Sequence, residues 1–182
     1  MILIDPNLEP RPAASLQAAI APLRAKQRRA PWAEKIPTKQ TLERFLHEAQ
    51  AAVRLRGQVN VLLTTDAEMR RLNRRFRGKN NATDVLSFPA EGSFPAEGSI
   101  PVKGIGAEKI AGDVAISVET ARRQAAEQGH ALTCELKILM LHGLLHLAGH
   151  DHESDAGEMA RREKQLRARF NLPQGLIERA KS

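Results

Sequence analysis

Apolar residues along this chain recur in two rhythms, and their alternation sketches a fold. From Thr38, a residue able to cap a helix, Leu42, Phe45, Leu46 and Ala49 return every three to four positions, as on a helix with one buried face. The next run, QVNVLLTT from Gln58 to Thr65, has the β-branched enrichment of a strand. Asp66 fits the N-cap of AEMRRLNRRF, a predicted helix in which Met69, Leu72 and Phe76 mark one face and arginines cover the rest. TDVLSFP from Thr83 gives a second strand, ended by Pro89, and AGDVAISV from Ala111 to Val118 a third. Glu119 to Gly129 returns to helical spacing and stops on a glycine.

Thr133 is placed to cap the following helix, TCELKILMLHGLLHLAG, with Glu135 favourably near its positive end. Leucine, isoleucine and methionine cover nearly all its sides, so it is predicted to run through the interior. Glu153 to Phe170 reads as a charged amphipathic helix, followed by a short peripheral tail from Asn171. Ahead of Thr38 lie a short extended start, a helical stretch from Ser15 that Pro22 breaks or kinks, and a proline-punctuated connection, APWAEKIPTK. Strands alternating with helices predict an α/β or α+β fold, helices packed on a small sheet, and 182 residues suit a single domain over 1–182.

One stretch has no rhythm. FPAEGS at Phe88 to Ser93 is repeated unchanged at Phe94 to Ser99. Glycine, proline and serine at that density cannot build a core, so a mobile loop over 89–110 is predicted.

Composition narrows the setting. Hydrophobic residues at 42% fill a core without disulfides, and the single Cys134 suits a reducing compartment. Asp5 and Pro6 interrupt the opening MILIDPN too early for a signal peptide, and no run approaches the ~20 apolar residues of a membrane span. A soluble, cytoplasmic protein is expected. A net charge of +7 and a pI near 10.1 favour an acidic partner, such as nucleic acid.

The chemistry concentrates in HGLLHLAGHDHE, His142 to Glu153, which holds four of the six histidines. His142 and His146, four apart, share one side of a helix and can chelate one ion. Gly149 can turn the chain back, making His152 the natural third ligand, with His150 a possible alternative. The spacing matches the H-E-x-x-H-x-x-G-x-x-H zinc signature of metzincin proteases, except that Gly143 stands where the glutamate base belongs. Zinc with an open position is expected, and peptide hydrolysis is disfavoured. Asp151 and Glu153 are candidates to support the ligand rings. Cys134 reads as a small core residue rather than a thiolate ligand. His47 and His130 lie outside the cluster.

A second feature is MRRLNRRFRGKNN, which carries Arg70, Arg71, Arg74, Arg75, Arg77 and Lys79 with no acid among them, a pattern suited to phosphate. Aromatics are only 3% of the chain, so if nucleic acid binds, phosphate contacts rather than base stacking are expected to carry most of the affinity.

HGLLHLAGHDH closely resembles the H-G-x-L-H-L-x-G-[YH]-D-H signature of the YbeY family of bacterial endoribonucleases, and FRGKNNATDVLSFP and GDVAIS resemble two further blocks of that family in the expected order. The resemblance covers about Asn60 to Glu153. It implies one α/β domain with a small mixed sheet and a zinc ion at the end of the buried helix, held by His142, His146 and His152. It further implies metal-dependent cleavage of single-stranded RNA, with Arg77 as the functionally important arginine; Lys79, Arg74 and Arg75 are phosphate-contact candidates from the arginine stretch itself. The implied work is maturation of the 3′ end of the small-subunit (16S) ribosomal RNA and ribosome quality control, with the small subunit and its associated factors as partners. The rival readings are a non-catalytic, zinc-stabilised assembly factor for ribosomal RNA and a metallopeptidase-like hydrolase.

Overall fold

A computed structural model describes residues 1–8, 35–90, 109–152 and 155–173. Four strands, β1 (Ile2–Ile4), β2 (Gln58–Thr64), β3 (Val85–Pro89) and β4 (Ile110–Ser117), form one sheet in the order β1-β2-β4-β3. β1 and β4 flank β2 in parallel, and β3 runs antiparallel to β4 at the edge. The helices are α1 (Lys39–Val53), α2 (Asp66–Arg77), α3 (Val118–Gln128), α4 (Leu132–Leu147) and α5 (Glu158–Arg169). The α+β class with a small mixed sheet is as predicted. Among the described residues no helix is long and apolar enough to cross a membrane.

The two faces of the sheet are covered differently. Val59, Val61, Leu63, Val114 and Ile116 join the main core with α1 and α4, whereas Ala115 and Leu86 point the other way and meet Met69 of α2, with Leu72 and Phe88 alongside. α4 is the centrepiece: Leu136, Ile138, Leu139, Met140, Leu141, Leu144 and Leu145 are all at 0% exposure, which explains why its apolar residues surround the helix axis.

Several element starts differ from the expectation, each for a visible reason. Thr65, not Asp66, caps α2 by accepting from Glu68 N–H. The Asp66 carboxylate is engaged by α3 instead, accepting from Ser117 Oγ, from Thr120 Oγ1 at 2.7 Å and from Arg123 at 2.9 Å. α4 starts at Leu132 with Ala131 as its uncapped boundary, because fully buried Leu132 draws the helix into the core before Thr133 could cap it. α5 starts at Glu158 rather than Glu153: the Asp155 carboxylate accepts from Gly157 N–H and Met159 N–H, both at 2.8 Å, and organises the entry. Pro89 and Ile110 belong to β3 and β4, so the predicted loop is shorter than 89–110. Residues 91–108 of it, the helix from Ser15 and the tail beyond 173 lie outside the described residues.

Candidate functional site

The four-residue spacing on α4 puts His142 and His146 on one side of the helix, the first buried and the second partly so. Gly149, at φ +92°, takes the left-handed turn that sends the chain back. Exposed His152 thereby returns to the two helical rings. Ring centroids stand 4.8 Å apart for His142 and His146, 5.4 Å for His142 and His152, and 5.2 Å for His146 and His152. One ligand atom from each lies within 4.8 Å of the others, and His150 is not part of the group.

The far side of His142 is fixed by α5. Its Nδ1–H donates to Glu163 Oε2 at 3.2 Å, both groups being buried. That tautomer leaves the Nε2 lone pair of His142 facing Nε2 of His146, 3.1 Å away. Burial first, and then the neighbouring His142 and His152, push the His146 pKa down to about 4, against a smaller upward pull from exposed Asp151. Inward-facing imidazoles, one of them oriented by a carboxylate, are a donor set that fits a divalent transition-metal ion.

To Asp151 and Glu153, the supporting acids expected from the sequence, the structure adds Glu163, whose carboxylate meets a ligand ring; Glu153 lies outside the described residues. The available signal is periodicity. Met159, Glu163 and Leu166 fall on one buried stripe of α5, where an acid without a partner would be costly. Glu163→Ala is expected to weaken metal binding roughly 10–100-fold, and Glu163→Gln less, since its carbonyl still accepts the Nδ1–H. Competition against a chromophoric chelator measures both, and unchanged affinity in the alanine variant would dismiss the role.

The depressed His146 pKa also has a stability consequence. Below its ordinary 6.5 the unfolded chain takes up the proton before the folded one, so this contribution is whole above about pH 6.5 and is lost as pH falls toward 4. Stripped of metal by a chelator, the protein is expected to lose roughly 1–2 kcal/mol across that window, solvent reaching the partly exposed ring and reducing the full effect of the shift. Thermal melts of wild type and His146→Asn would show it as a steeper slope in the former.

Gly143 explains itself once the sheet is in place. A Cβ there would lie 2.8 Å from Val114 Cγ1 and 3.2 Å from Ser87 Oγ, and Ser87 Oγ donates to the Gly143 carbonyl at 3.2 Å. α4 rests directly on β3 and β4 at this point, leaving no room for the glutamate that a protease would need. Gly143→Ala is therefore expected to destabilise by roughly 1–2 kcal/mol, overpacking outweighing the better helix propensity of alanine. Urea titration checks the sign: a stabilised variant would contradict the packing argument.

The arginine stretch is less uniform than it reads. Arg71 is taken by Glu68, which precedes the stretch, at 2.6 Å. Arg74, Arg75 and Arg77 occupy the last turn of α2, Gly78 ends it at φ +69°, and Lys79 follows, all exposed. Among the described residues these four form no ion pair. They do not join the histidine cluster, because α2 and α4 lie on opposite faces of the sheet. They do reach the same end of it. The ring of Phe76 meets Phe88 on β3, while Gly112, paired with neighbouring Pro89, packs against Leu147, the residue after His146. Edge strand β3 thus separates the two features.

The other predicted residues fall outside this arrangement. His47 is exposed on α1, and Cys134 is half-buried in the first turn of α4. His130, which shows no partner in the sequence, bonds fully buried Glu135 at 2.5 Å.

The family model described as Endoribonuclease YbeY matches residues 25–171. A Koribacter versatilis protein named Endoribonuclease YbeY is 51% identical over 142 residues, 78% of this chain and 84% of its own. One of the same name from Solibacter usitatus is 49% identical over 155 residues, 85% and 92% of the two chains. A solution structure of a Thermotoga maritima protein aligns with a TM-score of 0.47 at 25% identity, covering 76% of this chain and 89% of that one. With a match over most of its length, including the α4 helix and the histidine turn that follows it, this chain belongs to the YbeY endoribonuclease family.

Proposed function

We propose that this protein is a zinc-dependent endoribonuclease that cleaves single-stranded RNA, acting in 3′-end maturation of 16S ribosomal RNA and in ribosome quality control. Its setting would be the cytoplasm, with the small ribosomal subunit and its associated factors as partners. The observation that carries the reading is the convergence of His142, His146 and His152, in a chain whose relatives are named endoribonucleases. Three imidazoles with no protein carboxylate or thiolate among them suit zinc and leave a position for substrate or water. A bound zinc supplies Lewis acidity, polarising water or a phosphate oxygen.

The chain's own residues do the rest. His142, His146 and His152 hold the ion, and Glu163 fixes the His142 tautomer. Arg77, with Lys79, grips the scissile phosphate and offsets the charge that grows on it during cleavage. Arg74 and Arg75 hold neighbouring phosphates, so affinity is expected to fall steeply with salt.

The test is cleavage of an end-labelled single-stranded RNA, compared with the same strand annealed to its complement, before and after chelation and zinc return. Cutting confined to the single strand, lost on chelation and restored by zinc, supports the reading. Cutting indifferent to the chelator overturns it. Tight RNA binding without cutting would favour the non-catalytic assembly factor.

A further inference from the structure

Phe76 shares a stripe with Met69 and Leu72 and would be expected in the core, yet it is 56% exposed while Met69 is at 0%. The stripe outruns the sheet. Among the described residues, α2 in its last turn packs Phe76 against Phe88, edge to face, with ring centroids 5.0 Å apart and planes at 64°. Arg75 lays its guanidinium over the ring, 5.2 Å from the centroid. Arg74, Arg77 and Lys79 stand exposed close by in the chain, with no acid partner among the described residues. Among the described residues Phe76 is the only aromatic left so open. A lone exposed apolar side chain is ordinary. An aromatic ring braced by a second ring, in the middle of unneutralised cations, is a different object.

We propose that Phe76 is the stacking platform for one unpaired base of the RNA, with Arg74, Arg77 and Lys79 on the flanking phosphates. The proposal rests on the endoribonuclease reading and adds to it a residue that selects for unpaired strand. Every base offers a π-face, so stacking on an aromatic ring is strong and indifferent to sequence. A base inside a duplex has both faces covered by its neighbours and cannot use the platform. The contact with Phe88 fixes the plane of the ring beforehand, which limits the entropy lost on binding. The guanidinium of Arg75, flat like a base, marks where a planar group is accepted and can turn to a phosphate when displaced.

The experiment measures binding of zinc-loaded protein by fluorescence anisotropy to three cleavage-resistant 2′-O-methyl ligands: a single strand, the same backbone with abasic residues throughout, and the duplex. Phe76→Leu should bind the intact single strand roughly tenfold more weakly with the same salt slope, and the abasic strand and duplex as wild type does. Phe76→Trp should restore affinity and show indole quenching by the intact strand. Thermal melts establish that both variants are folded. Wild-type affinity of Phe76→Leu for the single strand overturns the proposal, as does an equal loss on the abasic strand, which would mean that the ring only arranges the arginines. Wild-type protein that binds none of the three would sink the endoribonuclease reading itself, a result distinct from wild-type binding that the leucine leaves intact.

Discussion

His146→Ala is expected to lose its metal and its RNA cleavage together while keeping its fold. The ring is one of three converging donors, and removing it leaves two imidazoles, fewer than the three protein ligands that catalytic zinc sites use. Loss of a supporting carboxylate costs metal affinity about 10–100-fold, so loss of a ligand should cost more, and cleavage should fall by a factor on the order of 10³. The fold is spared because His146 is only partly buried and its burial opposes its own protonation, so alanine removes no favourable core contact of consequence. Metal content, far-ultraviolet circular dichroism and cleavage of an end-labelled single strand, on wild type and variant purified in parallel, check the three claims. Parallel preparation guards against contaminating ribonuclease. Undiminished cutting by a variant that no longer holds metal would detach the chemistry from the histidines.

Arg77→Ala is expected to behave in the opposite way toward the ion, retaining it fully, while cleavage falls about 10²-fold or more. Arg77 ends α2 on the face of the sheet away from α4, so its loss cannot disturb the ligand rings. The expected cost is that of removing a preorganised cation from a phosphate on which charge develops. Single-turnover rates at saturating RNA separate that role from simple attraction. A lowered rate constant supports contact with the reacting phosphate, whereas weaker binding at an unchanged rate makes Arg77 one more backbone contact. A variant that loses zinc, or cuts as wild type does, removes it from the proposed site.

These expectations come from parts of the molecule that differ in how openly the sequence displays them. The histidine triad is legible because its information is local: a helical spacing, one glycine and a third ring within eleven residues. The burial of α4 is equally plain, since a helix apolar on all sides can sit only inside a protein. Glu163 is not legible, because the contact that gives it meaning comes from a helix packed across the core, and nothing near His142 in sequence announces it. Gly143 shows only a missing side chain; that β3 and β4 leave no space for one is a property of the sheet beneath. Asp66 misled as the α2 cap for the same reason: the hydroxyls and guanidinium of a helix some fifty residues later claim its carboxylate, and Thr65 caps instead. Phe76 misleads because helical periodicity tells which way a residue faces, not whether the surface it faces continues that far.

The placement of cations and histidines at one end of the sheet, on opposite sides of edge strand β3, bears on the mechanics of any polymer that touches both. For Arg77 and the ion to meet on one phosphate at the rim of β3, the strand that carries it must turn sharply there. A double helix is stiff over tens of nanometres and can be curved on this scale only at large elastic cost. An unpaired strand, with its rotatable backbone, follows the corner almost freely. The edge of the sheet then acts as a gauge of flexibility, admitting nucleic acid by how readily it folds over.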